Sequence, residues 1–353
     1  MSLNDLRKQI DKIDDQLVKL LNQRFKVSYQ VGEHKKAHDL DVHNFSREHE
    51  ILSALSEKLE EPMCKEYIYN IYSEILSASR AVQNPTNVGF FGLKQSYSHL
   101  AAIKYFGKAC HYSDNQTIND VFLEVEKGNI DFGVVPLENS TEGIVNHTFD
   151  LMMEKDVKIY AEVFLNIHHN FISQDVNIKT IEKVYSHSQA LAQTRNWLEQ
   201  NLLNIEVIAV DSTTKAAELA SENIHTAAIA SVPAALKYSL NILASNIEDK
   251  ANNVTKFLVI SKQDPQKGKK NKTSIMFSIK DSLGALYAML LPFRSAGINL
   301  TKIESRPTKK RIWEYVFFVD FLGHKDDLEV RKALNELENQ CLFMKILGSY
   351  PID

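Results

Sequence analysis

Apolar residues return every third or fourth position from the start of the chain, at Leu3, Leu6, Ile10, Ile13, Leu17, Leu20, Val27 and Val31, and Arg24 stands on the same seam. This spacing predicts one long packed helix. A later stretch places Ile68, Ile71, Tyr72, Ile75, Ser79, Val82 and Gln83 on one helical face, where Ser79 and Gln83 interrupt the apolar stripe one turn apart. With a single glycine and a single proline, residues 1–84 read as one all-helical unit. "NPTN" at 84–87 ends that pattern. From Val88, short apolar runs ("VGFF", "FGVVP", "VKIYAEVFLNI", "KVYS", "IEVIAV", "AAIAS", "KFLVIS") alternate with helical stretches, which predicts an α/β unit over residues 88–262. A polar, lysine-rich linker follows at 263–272. Residues 273–353 then run strand, helix, strand, strand, helix, strand, the order of a ferredoxin-like α+β unit.

A multidomain chain is also what 353 residues imply. No apolar run approaches the roughly 20 residues of a membrane helix, and the charged start "MSLNDLRKQIDKIDD" is unlike a signal peptide. The expectation is a cytoplasmic protein with no membrane partner. Cys64, Cys110 and Cys341 lie far apart and outside any Cys/His cluster, which disfavours a disulfide framework or a metal site and leaves each an expected buried thiol. A net charge of −4, with no basic block beyond "QKGKKNK", disfavours nucleic acid as a partner. Small acidic substrates stay open, because local arginines serve them without a basic protein.

Burying an unpaired guanidinium on an apolar seam costs several kcal/mol, so Arg24 requires an anionic partner. A glutamate of a neighbouring helix or an anionic ligand would serve. Lys35 follows Arg24 by eleven residues on nearly the same azimuth, and "NFSREHEIL" presents Arg47 and Glu48 at the start of a short helix. These polar groups, with Ser79 and Gln83, converge. The segment resembles the all-helical class of chorismate mutases along its whole length, through Arg7 in "LRKQI", Arg24 in "LLNQRFKV", Lys35 after "VGEH", "SRE" at 46–48, and Ser79 with Gln83. The resemblance assigns Arg7, Arg24 and Arg47 to the two carboxylates of chorismate, Lys35 and Gln83 to its ether oxygen, and Glu48 to its hydroxyl. Asn44 stands where such enzymes often carry aspartate. Arg7 and Arg24 are seventeen residues apart, roughly 25 Å along a straight helix. Unless that helix bends back, a complete site takes Arg7 from a second chain, so the expected assembly is a homodimer or homotetramer with shared mutase sites.

In the α/β unit, strands repeatedly end where polar residues begin a helix. "DFGVVPLENSTEGIV" gathers Glu138, Asn139, Ser140 and Thr141, "FFGLKQSYSHL" places Tyr97 and Ser98, and "VYSHSQALAQT" places His187, Gln189 and Ala190. Singly, each reads as a helix cap. Their recurrence after successive strands makes a cleft with backbone N–H groups suited to carboxylates. "VVPLENSTEGIV", "SHSQALAQ", "AAIAS" and "NNVTKF", in this order, resemble prephenate dehydratase over residues 88–261. The resemblance implies two lobes related to periplasmic binding proteins with prephenate between them, and makes "VKIYAEVFLNIHHNFI" one long strand crossing between the lobes. His168 and His169 within it face opposite ways as strand neighbours and read as structural, not as metal ligands. Neither a metal nor a cofactor is expected. The family's Thr-Arg-Phe motif stands here as Thr255, Lys256 and Phe257. It implies that Thr255 faces the departing hydroxyl, while Lys256 replaces a bidentate arginine with a single charge.

In the last unit, "GAL" at 284–286 and "NLTKIESRP" at 299–307 resemble the ACT domain of phenylalanine-regulated dehydratases. That implies phenylalanine as an effector held between paired domains by Gly284, Ala285, Leu286, Asn299, Leu300, Glu304, Ser305 and Arg306. Together the resemblances imply a bifunctional enzyme of phenylalanine biosynthesis under feedback inhibition. An enzyme retaining one activity is the alternative that Asn44 and Lys256 leave open; a noncatalytic amino-acid sensor is another, and the intact Arg24, Lys35, Glu48, Gln83 and Thr255 speak against it.

Overall fold

A computed structural model describes residues 2–38, 43, 45–202, 205–279, 282–307 and 315–352. Two compact units emerge: residues 1–87 with 106–111, and residues 88–105 with 112–353. The first is built on three helices, α1 (Leu3–Ala37), α2 (Phe45–Ser56) and α3 (Lys65–Gln83). Ser2 and Asp5 start α1 with a reciprocal capping box. Helix α1 runs 35 residues without interruption. Its C-terminal half packs on α3, and Gly32 makes the approach possible: a Cβ there would lie 2.8 Å from the Gln83 Cα.

Among the described residues, the second unit carries three sheets. The first lobe consists of β1 (Asn87–Phe91), α4 (Tyr97–Phe106), β2 (His111–Asn115), α5 (Ile118–Lys127), β3 (Phe132–Asn139), β4 (Gly143–Ile144), α6 (Asn146–Glu154) and β5 (Lys158–Asn166). The second consists of β6 (Asn170–Ser173), β7 (Lys183–Ser186), α7 (Ser188–Gln193), α8 (Arg195–Asn201), β8 (Glu206–Ala209), α9 (Thr213–Glu222), β9 (Thr226–Ala230), α10 (Val232–Lys237) and β10 (Asn241–Ala244). Strand β11 (Val254–Ser261) then returns to the first sheet, whose order is β2-β1-β3-β11-β5, while the second runs β10-β6-β9-β7-β8. The expected single crossing strand is therefore two strands in two sheets. The chain leaves one ladder at Asn166 and enters the other at Asn170, and His168 and His169 lie in the connection. Residues 245–253 form the second crossover.

The third sheet has β12 (Asn271–Ser278), α11 (Ala285–Ser295), β13 (Leu300–Pro307), β14 (Tyr315–Leu322), α12 (Leu328–Glu338) and β15 (Phe343–Pro351) in the order β13-β14-β12-β15, with the expected ferredoxin-like pattern. Strand β12 begins at Asn271, inside the stretch read as linker, because Asn271 pairs with Pro351 of β15. One face of this sheet packs on the first lobe. Phe149 and Phe318 meet edge to face at 4.2 Å, and Met276, Leu347 and Tyr350 share a core with Leu258 and Ile159. Gly348 permits the contact, since a Cβ there would lie 2.2 Å from the Ile159 carbonyl oxygen.

The cysteines depart from expectation. Cys64, at the N-cap position of α3, is exposed, and Cys110 and Cys341 are only half-buried. No helix among the described residues is long and apolar enough to cross a membrane.

Candidate active sites

In the helical unit, Arg24 and Ser79 meet across α1 and α3: Arg24 Nη1 donates to Ser79 Oγ. Ser79 is 5% exposed and passes its own proton to the Ile75 carbonyl at 2.7 Å. One turn on, Gln83 donates from Nε2 to the Ser79 carbonyl at 3.1 Å and leaves its buried Oε1 without a hydrogen-bond partner among the described residues. Glu48 is held by Arg80, which also donates to the Phe106 carbonyl at 2.6 Å. Arg80, 4% exposed, was not singled out from sequence. Its position beside Ser79 on the buried face of α3 was the available signal. The charges of Arg80 and Lys35 reach His43, whose pKa falls from 6.5 to about 3, chiefly through burial. Arg24, Ser79 and Gln83 thus form one polar group, Glu48 pairs with Arg80, the residue after Ser79 on α3, and Lys35 is near enough for its charge to reach His43. Arg47 points outward to Glu50 at 3.1 Å, Arg7 lies on the exposed early turns of α1, and Asn44 falls outside the described residues.

The α/β unit centres on the register of β3 and β11, which sets Asn139 opposite Thr255. Both are 8% exposed. Asn139 Nδ2 donates to Thr255 Oγ1 at 2.7 Å and to Asn253 Oδ1 at 2.8 Å. Thr141 donates to Asn139 Oδ1 at 2.6 Å and accepts from Gln193 Nε2 at 3.0 Å. Ser140 pins the second crossover, donating to the Asn252 carbonyl and accepting from the Val254 N–H. Tyr97 sends its hydroxyl proton to the His168 carbonyl at 2.8 Å, and burial raises the phenol's pKa. His187 caps α7 by accepting the Gln189 N–H, with Gln189 exposed and Ala190 buried behind it. Ser98 lies buried in the first turn of α4, and Phe257 in the core of β11.

Strand alternation separates neighbours. Glu138 turns away from Asn139 to pair with Lys302 at 2.5 Å, and Lys256 turns away from Thr255 to face Glu162 at 3.5 Å and the Phe164 ring. Gln193 and Asn253, which sequence reading passed over, complete the polar cluster. Gln193 is one turn beyond Gln189, and Asn253 has the strand parity of Thr255.

In the third sheet, Gly284, Ala285 and Leu286 open α11 against Tyr287, Tyr315 and Phe317 around a cavity of about 260 Å³. Gly284 carries φ of +76°, a conformation that suits glycine. Asn299 and Leu300 stand beyond the other end of α11, about 16 Å along its 11 residues. Ser305 lies exposed on β13, and Glu304 shares with Arg306 the half-buried face. Arg306 donates to the Asn146 carbonyl at 3.0 Å and faces Asp150 at 3.5 Å.

Three family models match in succession: chorismate mutase type II over residues 6–84, prephenate dehydratase over 88–265 and the ACT domain over 273–339. The chain is 47% identical to the bifunctional chorismate mutase/prephenate dehydratase of Aquifex aeolicus, over 99% of this chain and 98% of that protein. It is 37% identical to the protein of the same description from Pseudomonas aeruginosa, over 99% and 97%. Among solved structures, the prephenate dehydratase of Arthrobacter aurescens in complex with L-Phe aligns with a TM-score of 0.70 and 30% identity, covering 76% of this chain and 90% of that one.

Proposed function

The chain belongs to the bifunctional chorismate mutase/prephenate dehydratase family, and we propose that its two reactions run in sequence, chorismate to prephenate to phenylpyruvate, under feedback by phenylalanine bound at the third sheet. The observation that carries the role of Thr255 in the dehydratase is the direction of one hydrogen bond. Asn139 Oδ1 accepts the Thr141 and Glu142 main-chain N–H groups at 3.0 and 3.2 Å, so the Asn139 NH₂ must be what faces Thr255 Oγ1. Thr255 accepts there and keeps its proton for the cleft. Loss of carbon dioxide and hydroxide from prephenate gains from a hydrogen bond to the leaving oxygen, and a threonine of ordinary acidity gives that bond without full proton transfer. Tyr97, Ser98, Ser140, Thr141, His187, Gln189 and Ala190 surround the substrate in this reading.

The mutase rearrangement needs no nucleophile, acid or base, only a folded dianion and donors at the ether oxygen where charge grows. Arg24, Lys35, Ser79 and Gln83 supply such donors within one chain and Glu48 an acceptor for the hydroxyl, whereas Arg47, which points outward to Glu50, would have to turn inward to reach a carboxylate. Arg7 comes from a second copy: α1 is one unbroken helix, and its seam from Leu3 to Leu20 is 45–64% exposed, an apolar face that a second α1 covers. The cavity at Gly284–Leu286 supports the effector assignment, with Asn299, Leu300 and Glu304 contributed across a paired domain. Purified protein supplied with chorismate alone should form phenylpyruvate, and millimolar phenylalanine should slow that formation and raise the melting temperature. Chorismate consumption without phenylpyruvate would reduce the protein to a mutase.

A further inference from the structure

Four side chains beside Thr255 close a ring whose hydrogen-bond directions follow from two main-chain groups. Asn139 Oδ1 is committed to the N–H groups of Thr141 and Glu142, so its NH₂ donates to Asn253 Oδ1 at 2.8 Å. Asn253, with its oxygen engaged, donates from Nδ2 to Gln193 Oε1 at 2.9 Å. Gln193 donates from Nε2 to Thr141 Oγ1 at 3.0 Å, and Thr141 returns a proton to Asn139 Oδ1 at 2.6 Å. Every donation runs the same way round. Such a circuit polarises each member in the sense in which it already donates. The one Asn139 N–H outside the circuit is the one on Thr255 Oγ1, at 2.7 Å.

His169 enters from outside. Gln193 Oε1 can only accept, so the His169 ring nitrogen 2.8 Å away must be Nε2–H, and Nδ1 is left facing the Tyr97 hydroxyl at 3.3 Å. His169 is 2% exposed and Asn253 3%. They come from the two crossovers, Asn139 and Thr141 from the first lobe, and Gln193 from the second. The circuit therefore closes only with both lobes in place.

We propose that Asn253 and His169 are positioning residues of the dehydratase. Neither is assigned contact with the reacting atoms. They hold Gln193 in the circuit, so that Asn139 keeps donating to Thr255 and the Thr255 proton stays directed at the departing hydroxyl. This deepens the reading of Thr255 above and rests on it.

Asn253→Asp tests the polarity at nearly constant shape, because it sets two acceptors face to face at Gln193 Oε1. Dehydratase kcat should fall by about tenfold or more with KM within about threefold of wild type, while mutase turnover of the same preparation is unchanged. His169→Gln, which keeps an N–H donor, should stay within about threefold of wild-type kcat, whereas His169→Leu should lose about tenfold. Wild-type kcat in Asn253→Asp, or equal losses in His169→Gln and His169→Leu, would overturn the proposal. Thr255→Ala assayed alongside separates the two claims. If it retains turnover, the Thr255 assignment and the circuit's role fall together; if it is inactive while Asn253→Asp is normal, only the circuit's role falls.

Discussion

In the proposed dehydratase site the Thr255 oxygen is occupied as an acceptor by Asn139, and its proton has no acceptor among the described residues. Asn139→Asp reverses this, since a carboxylate at 2.7 Å would draw the Thr255 proton to itself. Dehydratase kcat should drop by about two orders of magnitude, the scale of one lost transition-state donor; steady-state kinetics on prephenate checks this. In the helical unit the corresponding single position is Gly32, where a methyl group would lie 2.8 Å from the Gln83 Cα. Gly32→Ala should cost about 1–3 kcal/mol in urea unfolding and lower mutase turnover by shifting Arg24 and Lys35 relative to Ser79 and Gln83. The turn-forming residues Asn139 and Thr141 were legible in the sequence because caps and turns are local chemistry. Asn253, Gln193 and His169 were not, since their partners come from segments that only the sheet register and the two crossovers bring together.

At the scale of elements, β11 has two working faces. Thr255 looks toward Asn139, while Lys256 looks toward Glu162, which also holds Lys272 of β12 at 2.6 Å. Asp320 of β14 lies close by, takes a hydrogen bond from Ser274 at 2.6 Å, and has its pKa raised by burial. The family's arginine position thus carries a lysine engaged by a buried carboxylate between sheets, a placement that motif reading alone did not anticipate. Lys272→Met should destabilise the second unit by about 2–4 kcal/mol in denaturant unfolding, because it leaves Glu162 with one cation in place of two. The third sheet also grips α6 at both ends, with Arg306 at Asn146 and Lys345 on the carbonyls of Met152 and Lys155 at 2.9 and 2.6 Å. Helix α6 follows the turn that bears Asn139. In the helical unit, His43 is held neutral when folded, with its pKa lowered from 6.5 to about 3. The unfolded chain then binds the extra proton, so this contribution is present above pH 6.5 and is lost as pH falls toward 3. Between pH 7 and 5 it amounts to about 2 kcal/mol, and His43→Gln should flatten that part of the stability profile.

For the whole molecule, periodicity carried the order of all-helical, α/β and ferredoxin-like units, because each has its own spacing of apolar residues. Assembly is an expectation from the arginine spacing on α1, and the exposed seam from Leu3 to Leu20 is the face on which a second copy would pack. A shared mutase site makes a specific prediction. Arg7→Ala and Arg24→Ala should each abolish mutase activity, and mixing the two proteins equally should restore about a quarter of wild-type activity, because half the dimers then hold one intact site of two. Unrestored activity after demonstrated subunit exchange would place both arginines in one chain's site. The central claim is that one chain carries two separate chemistries, with Thr255 serving only the second. Its most direct measurement is the product balance of Thr255→Ala supplied with chorismate. Prephenate should accumulate in step with chorismate loss, at the wild-type mutase rate and with no phenylpyruvate formed enzymatically; phenylpyruvate appearing at the wild-type rate would remove Thr255 from the second reaction.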